Sequence, residues 1–248
     1  PYWVFVSEIM LQQTQVPRVI KYFTPFVERF PGFCALGESE LHDVLTYWQG
    51  LGYNRRARYL RDAASTVCRD HHGDLPHTVE QLLKLPGIGP NTAASILAFA
   101  DNVPTVFIET NIRRVFIHYF FPGEESVSDA LIRPLVKATL DETNPREWYW
   151  ALMDLGVLLG RQVPNPNRRS RHYTRQSRFE GSRRQLRGCI LKHVLAGGVG
   201  TVPAIVDSCQ RSQAEVLEVL RQLERDGLIE HGSDGTYSVP SGEQIERS

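Results

Sequence analysis

Leu85-Pro86-Gly87-Ile88-Gly89-Pro90-Asn91-Thr92 is the stretch on which the fold turns. It stands between an apolar helical pattern ending near Lys84 and a second, small-residue helical pattern from Thr92 to Ala100. Gly87 and Gly89 permit a tight turn and close backbone approach, because glycine lacks a Cβ and enters positive φ freely. Pro90 suits the first turn of the second helix, where its missing N–H costs nothing. The N–H groups left over at that helix start can hold a phosphate, which positions a DNA strand without reading its sequence. A bare LPGxG run is also an ordinary helix–helix turn, so by itself it leaves both readings open.

Outward from this turn, residues 1 to about 160 read as successive helices joined by short turns. Ser39 precedes Leu41, Val44, Leu45 and Trp48 at helical spacing, and Thr78 with Gln81 makes a capping-box pattern before Leu82 and Leu83. Asn144, Pro145 and Glu147 supply an N-cap, a first-turn proline and an N3 carboxylate ahead of Trp148, Leu152 and Leu155. Then Arg161, Arg168, Arg169, Arg171, Arg175, Arg178, Arg183, Arg184 and Arg187 are opposed by Glu180 alone. Pro164-Asn165-Pro166-Asn167 interrupts the periodicity there, so the segment reads as a linker, solvated or DNA-facing. Beyond it Leu186, Ile190 and Val194 mark a helix, Val202 to Ser208 a short second one, and Ser212 to Asp226 a third. Leu228 to Glu230 and Thr236 to Val239 bracket Gly232-Ser233-Asp234-Gly235 as hairpin strands would. Three helices and a hairpin resemble a winged-helix domain, a fold that binds DNA or protein. The expected organisation is a first domain over 1–160, an arginine-rich linker over 161–184 and a winged-helix-like domain over 185–248.

With 248 residues, 42% of them apolar, the chain can bury a substantial core; its formal net charge is zero. DNA binding must therefore rest on local basic clusters, not on total charge. No apolar stretch reaches the roughly 18 to 20 residues of a membrane span, and no signal segment is visible. A cytoplasmic, nucleoid-associated monomer without a membrane partner is expected. The chain opens at Pro1 inside what reads as an established domain, so an upstream helix is expected to precede it. Cys34, Cys68, Cys189 and Cys209 include no close pair, which argues against zinc, an iron–sulfur cluster and a disulfide framework; they read as buried thiols.

Three more segments make a resemblance specific. Ser7-Glu8-Ile9-Met10-Leu11-Gln12-Gln13-Thr14-Gln15 resembles the SEVMLQQTQV segment of adenine glycosylases, Gly50-Leu51-Gly52-Tyr53 their GLGYY, and Met153-Asp154-Leu155-Gly156 their MDLG. With the LPGIG run, residues 1 to about 158 resemble the helix-hairpin-helix DNA glycosylases of the adenine glycosylase (MutY) kind. The resemblance implies a mainly α fold, a helix-hairpin-helix glycosylase domain followed by the small winged-helix-like α+β domain. It implies an enzyme that flips a damaged or mispaired base from double-stranded DNA and hydrolyses its N-glycosidic bond.

That chemistry asks for a proton donor to the leaving base and an anion beside the developing sugar cation, so two carboxylates are expected. Glu8 matches the family acid, and Phe5, Ile9 and Leu11 beside it are surroundings that raise a carboxyl pKa. In Ile108 to Val115 the family has an LDGNVKRV-like segment; Glu109 aligns with its aspartate, one methylene longer, and is also placed to cap a helix starting near Asn111. Asn91, the third residue of the catalytic set, stands where bifunctional relatives carry a lysine nucleophile. It cannot form a Schiff base, which implies a monofunctional enzyme, and it is equally placed to bond the first turn of its own helix. Gln12 and Gln13 match the turn that enters the vacated stack. Gly50, Gly52, Tyr53 and Asn54 match the loop beside the lesion, with Asn54 where the family often has a second tyrosine next to 8-oxoguanine. Gly87, Gly89, Asn91 and Thr92 match the phosphate grip, while Arg168, Arg169, Arg171 and Arg175 are expected to face DNA in place of the family's cluster loop. The backbone carbonyls of Leu83, Leu85 and Ile88 match a Na+ or K+ site, or simply close the turn. No cysteine quartet follows Gly156, so no iron–sulfur cluster is expected. Adenine opposite 8-oxoguanine is the leading substrate; hypoxanthine, alkylated purines, and uracil or thymine mismatched with guanine are alternatives, as is a non-catalytic lesion-binding role.

Overall fold

The structure, a computed structural model, describes residues 1–175, 178–197 and 199–241. Its first part is a helical array: α1 (Tyr2–Leu11), α2 (Val16–Arg29), α3 (Phe33–Gly37), α4 (Leu41–Trp48), α5 (Arg55–His71), α6 (Val79–Leu82), α7 (Pro90–Asp101), α8 (Thr110–Phe120), α9 (Asp129–Thr139) and α10 (Pro145–Gln162). Two apolar cores organise it. One gathers Phe5, Phe26, Phe30 and Trp48 from α1 to α4, and the other Phe107, Phe116, Ile132 and Tyr149 from the α8–α10 half. Full burial of each such side chain contributes about 1.5–3 kcal/mol. The helix between them is α7, with Ala93, Ile96 and Leu97 in the first core and Ala94 and Ala98 in the second. Its small residues are the condition for that position, since a helix packed on both sides has room for few long side chains.

The local signals resolve with some substitutions of partner. Thr78 caps α6, its hydroxyl accepting from the Gln81 N–H at 3.3 Å. At α4 the N-cap is Glu40, whereas Ser39 donates to the Leu36 carbonyl at 2.6 Å. At α10, Asn144 sits at the N-cap without a side-chain cap; the Asp141 carboxylate accepts instead from the N–H groups of Thr143 and Asn144.

The winged-helix-like unit, described to residue 241, runs α11 (Arg183–Gly197), β1 (Gly200–Thr201), α12 (Val202–Cys209), α13 (Gln213–Arg225), β2 (Glu230–His231) and β3 (Thr236–Ser238). The strands form an antiparallel sheet of order β1-β3-β2, with Gly200 opposite Tyr237 and Glu230 opposite Ser238. Ser212 and Glu215 close a capping box on α13. The first strand has only two residues, too few for alternation to reveal it. Leu186, Ile190, Val216 and Leu220 join the same core as Phe5 and Trp48. Asp226 fastens the junction: its carboxylate pairs with Arg187 at 2.6 Å and Arg55 at 3.2 Å, and its carbonyl accepts from Arg58 at 2.7 Å.

Two expectations are corrected. The cysteines are not isolated buried thiols: Cys34–Cys68 and Cys189–Cys209 are disulfide-bonded, with Cα atoms 5.0 and 5.8 Å apart, and all four are partly exposed. Packing of α3 on α5 and of α11 on α12 brings together residues 34 and 20 positions apart. Nor is the segment after α10 a solvated linker throughout. A 3-10 turn, Pro166–Arg169, lies along α8 with Pro166 and Asn167 buried. Asn167 donates to the Thr110 carbonyl at 2.9 Å at one end of α8, and Arg169 donates to the Ile117 and Phe121 carbonyls at the other. The last carbonyls of a helix lack intrahelical donors, and the guanidinium fills that need. Among the described residues no helix is long and apolar enough to cross a membrane.

Candidate active site

The site forms where α1 crosses α7. Glu8 projects from α1 toward α7, where Ser95 donates to its Oε2 at 2.5 Å. At the end of the same helix Gln12 donates through Nε2 to Thr92 Oγ1 at 3.2 Å and to the Gly87 carbonyl at 3.4 Å. The first motif is thereby fastened to the turn at 85–92. Gln13, exposed, follows at φ +57°.

Arg56, which the sequence reading passed over, ties this corner to the 49–54 loop. It is 8% exposed. It donates to the Ile9 and Met10 carbonyls at 2.7 and 2.8 Å, to Thr14 Oγ1 at 2.9 Å and to the Gly52 carbonyl at 3.1 Å. Its guanidinium also lies over the rings of Trp48 and Tyr53. Burial pulls its pKa down to about 10, so it keeps its charge at neutral pH. In the loop Gly50 (φ +95°) and Gly52 (φ +75°) take the left-handed conformations that suit glycine, and a Cβ on Gly50 would lie 2.0 Å from the Tyr22 hydroxyl oxygen. Tyr53 adopts φ +50° without that freedom, and Asn54 is the N-cap of α5. Of the other non-glycine residues at positive φ, His72, Asn102 and Gln210 are helix C-caps, whereas Gln13 and Tyr53 lie in the turns at this corner.

Glu109 is the N-cap of α8. Its Oε1 accepts from the N–H groups of Asn111 at 2.7 Å and Ile112 at 2.9 Å, so capping and a place in the site coincide. Asn91 donates from Nδ2 to the Ile108 carbonyl at 3.2 Å, holding the peptide just before Glu109 instead of the first turn of its own helix. Behind α8, Arg114 donates to Asn111 Oδ1 at 2.9 Å and to the Gly156 carbonyl at 2.5 Å. A Cβ at Gly156 would stand 2.6 Å from the Asn111 carbonyl oxygen, so the glycine of MDLG is what lets α10 touch the backbone beneath Glu109.

The two carboxyls are treated differently. Burial pushes Glu8 up to about 7, the negative charge of Glu109 adds to the rise, and the Ser95 hydroxyl opposes it. Burial raises Glu109 as well, yet its anion alone has two backbone N–H donors and the nearby charges of Arg113 and Arg114. Near neutrality Glu8 can carry a proton; at Glu109 burial also wins, so its shift is upward too, but the two N–H groups and the two arginines oppose it and give its anion more partners than that of Glu8 has.

At the turn, Gly87 (φ +77°) presses on Tyr59, where a Cβ would approach Tyr59 Cβ to 2.8 Å. Gly89, the N-cap of α7, has no atom within 4 Å of where its Cβ would be, so the start of that helix faces open space. The Leu85 carbonyl accepts from the Ile88 N–H at 3.3 Å, and Leu83 is exposed. A cleft of about 660 Å³ opens beside the 49–54 loop, walled by Gln13, Tyr53 and Asn54 on one side and Arg184, Leu191 and Lys192 of α11 on the other; Glu8 and Glu109 do not line it. The four arginines of the expected DNA-facing element divide. Arg168 and Arg175 are exposed, Arg169 is committed to carbonyls of α8, and Arg171, also exposed, donates to the Ser126 carbonyl at 2.9 Å.

Residues 6–136 match the model of the HhH-GPD superfamily of base excision DNA repair proteins. The adenine DNA glycosylase of Buchnera aphidicola is 37% identical over 163 residues, 64% of this chain and 46% of that relative, so the chain spans about half its length. The adenine DNA glycosylase of Mycobacterium tuberculosis is 30% identical over 272 aligned positions, covering 97% of this chain and 86% of that relative. Among solved structures, a thermostable thymine-DNA glycosylase superposes with TM-score 0.55 at 23% identity, over 64% of this chain and 74% of the other. An endonuclease III–DNA covalent intermediate superposes with TM-score 0.53 at 18% identity, over 64% and 73%. At such identities the structural likeness is one of fold. The sequence matches go further: this chain belongs to the HhH-GPD superfamily of base excision DNA repair proteins and is a MutY-like member of it.

Proposed function

We propose that the chain is a monofunctional DNA glycosylase that removes a flipped base from double-stranded DNA, with adenine opposite 8-oxoguanine as the leading substrate. The observation that carries this reading is the pair Glu8 and Glu109, one carboxyl able to hold a proton near pH 7 and the other supplied with N–H donors for its charge. A base extruded between α1, α7 and the start of α8 meets Glu8, which donates a proton to a ring nitrogen as the bond from C1′ to the base breaks with its electron pair leaving on the base. Glu109 stabilises the resulting sugar cation. Water then adds to C1′ and yields its proton to a carboxylate. Asn91 has no amine to attack C1′, which supports hydrolysis without lyase chemistry.

Open space before Gly89 supports phosphate binding at residues 87–92, with Gln12 and Gln13 at the vacated stack. The 49–54 loop and the cleft beside it suit the opposite strand. Leu83, Leu85 and Ile88 offer hard carbonyl oxygens of the type Na+ or K+ takes, and Leu85, already an acceptor once, retains a second lone pair. The four sulfurs lie as two pairs on different helices, which supports a chain without an iron–sulfur cluster; stoichiometric iron in purified protein would refute this. In the cell a monomer acting on cytoplasmic or nucleoid DNA fits the reading.

The test is base release from an oligonucleotide panel under single-turnover conditions, covering adenine opposite 8-oxoguanine, hypoxanthine, alkylated purines, and uracil or thymine opposite guanine. Release of adenine with no β-elimination supports the reading. Lesion binding without release of any base makes this a sensor and overturns it.

The arginines give a separable expectation. Arg168→Ala with Arg175→Ala should weaken DNA binding and flatten its salt dependence, each lost phosphate contact lowering the slope by about one. Arg169→Ala should instead lower unfolding stability by about 1–3 kcal/mol, because it strips a charged donor from helix-end carbonyls. Binding and denaturation titrations on both variants decide; equal effects on DNA affinity would contradict the division.

A further inference from the structure

Ser95 lies in α7 one turn beyond Asn91 and is 4% exposed. Its Oγ stands 2.5 Å from Glu8 Oε2 and 3.1 Å from the Thr92 carbonyl oxygen. A serine hydroxyl has one hydrogen and two lone pairs, so it cannot donate to both at once. We propose that Ser95 is a positioning residue whose single hydroxyl hydrogen alternates between the Thr92 carbonyl and Glu8, holding the Glu8 carboxyl in place in both of its protonation states; this rests on the glycosylase reading above.

The two states follow from counting donors. With Glu8 protonated, its O–H donates to Ser95 Oγ, and the serine hydrogen turns to the Thr92 carbonyl three residues earlier in α7. After Glu8 has given its proton to the departing base, the serine hydrogen rotates to the carboxylate, and the Thr92 carbonyl, in the first turn of α7, remains an acceptor within the helix backbone ladder. Only a hydroxyl rotation separates the states. Every O–H has an acceptor throughout, which matters because a buried polar group left unbonded costs about 1–3 kcal/mol. Asn91 is not available for this task, since its amide holds the Ile108 carbonyl.

The charged groups around Glu8 do not supply such a hold. Glu109, before α8, opposes the ionised form. Arg56 of α5 is bonded to the Ile9 and Met10 carbonyls, at the end of α1. The face of α7 toward α1 presents Ser95 and Thr92, and α2 brings the apolar Val19 and Phe26 to the same core.

S95A and S95T test the proposal with two readouts: the pH profile of single-turnover cleavage, and carboxyl-carbon NMR titration of Glu8, assigned with E8Q. In S95A the Glu8 titration should move upward by about one pH unit, since the donor its anion loses is charge-assisted and stronger than the acceptor its acid form loses. The cleavage inflection should move with it, and the low-pH plateau should fall about tenfold because the acid is free to rotate. S95T keeps the hydroxyl and should restore both. An unmoved Glu8 titration in S95A overturns the proposal, and so does a slower S95A whose pH profile is unchanged, which is the mark of a packing residue. If the parent releases no base from the panel, the glycosylase reading fails separately, and the NMR titration still decides whether Ser95 holds Glu8.

Discussion

Glu8→Gln is expected to lower single-turnover base release by about a hundredfold or more, while DNA affinity and folding stay near parental. The amide keeps the length and polarity of the side chain and can still accept from Ser95 Oγ, so the contact between α1 and α7 is preserved. What it cannot do is release a proton to a leaving base. The pH dependence has a definite sign. Burial raises Glu8 to about 7, and the proposed mechanism uses its acid form, so parental cleavage should be full below that value and fall as pH rises through it. Glu8→Gln should lose that limb. Stability has the matching sign: a carboxyl raised in the folded state costs nothing below its unfolded value of 4.5 and destabilises increasingly as pH climbs through about 7. The variant should therefore be no less stable than the parent at pH 8. Parental cleavage by Glu8→Gln across the substrate panel would remove Glu8 from the mechanism.

Glu109→Gln is expected to have an effect of similar size for a different reason. A glutamine oxygen can still accept from the Asn111 and Ile112 N–H groups, so α8 keeps its cap, but the negative charge that the proposed mechanism sets against the sugar cation is gone. Loss of about a hundredfold in cleavage with an intact melting curve is the outcome that assigns the charge to catalysis. Glu109→Asp separates charge from reach. Aspartate is a good N-cap and keeps the anion one methylene further back, so activity should fall between that of the parent and that of Glu109→Gln. If Glu109→Gln cleaves at nearly the parental rate, the residue is a cap and nothing more. If Glu109→Asp is as poor as Glu109→Gln, the extra methylene is needed to place the charge.

Much of this molecule was legible without coordinates because the signals are local. The 3.6-residue spacing of Val44, Leu45 and Trp48, the Thr78–Gln81 cap and the glycines of the 85–92 turn each act within a few residues, where chain geometry leaves little choice. The motifs at Glu8, at Gly50 to Tyr53 and at Gly156 likewise declared a family by their order and spacing. The sequence by itself thus determined the helical class, the C-terminal hairpin and the two candidate carboxylates.

Tertiary structure decided the partners. Ser95 is 87 positions from Glu8, and Arg56 is 47 from Ile9; neither belongs to a motif, because a serine in a small-residue helix or an arginine in a charged one is ordinary until another helix lies across it. The same holds for the cysteines, paired only once α3 meets α5 and α11 meets α12. Arg169 reads as one more cation in a basic run, and only the path of residues 166–170 along α8 turns it toward carbonyls. Periodicity encodes which face of an element is buried, but not which neighbour buries it. Hydrogen bonds are short and directional, so the choice of donor for each carboxyl and carbonyl was made by helix packing, at distances no spacing rule can reach.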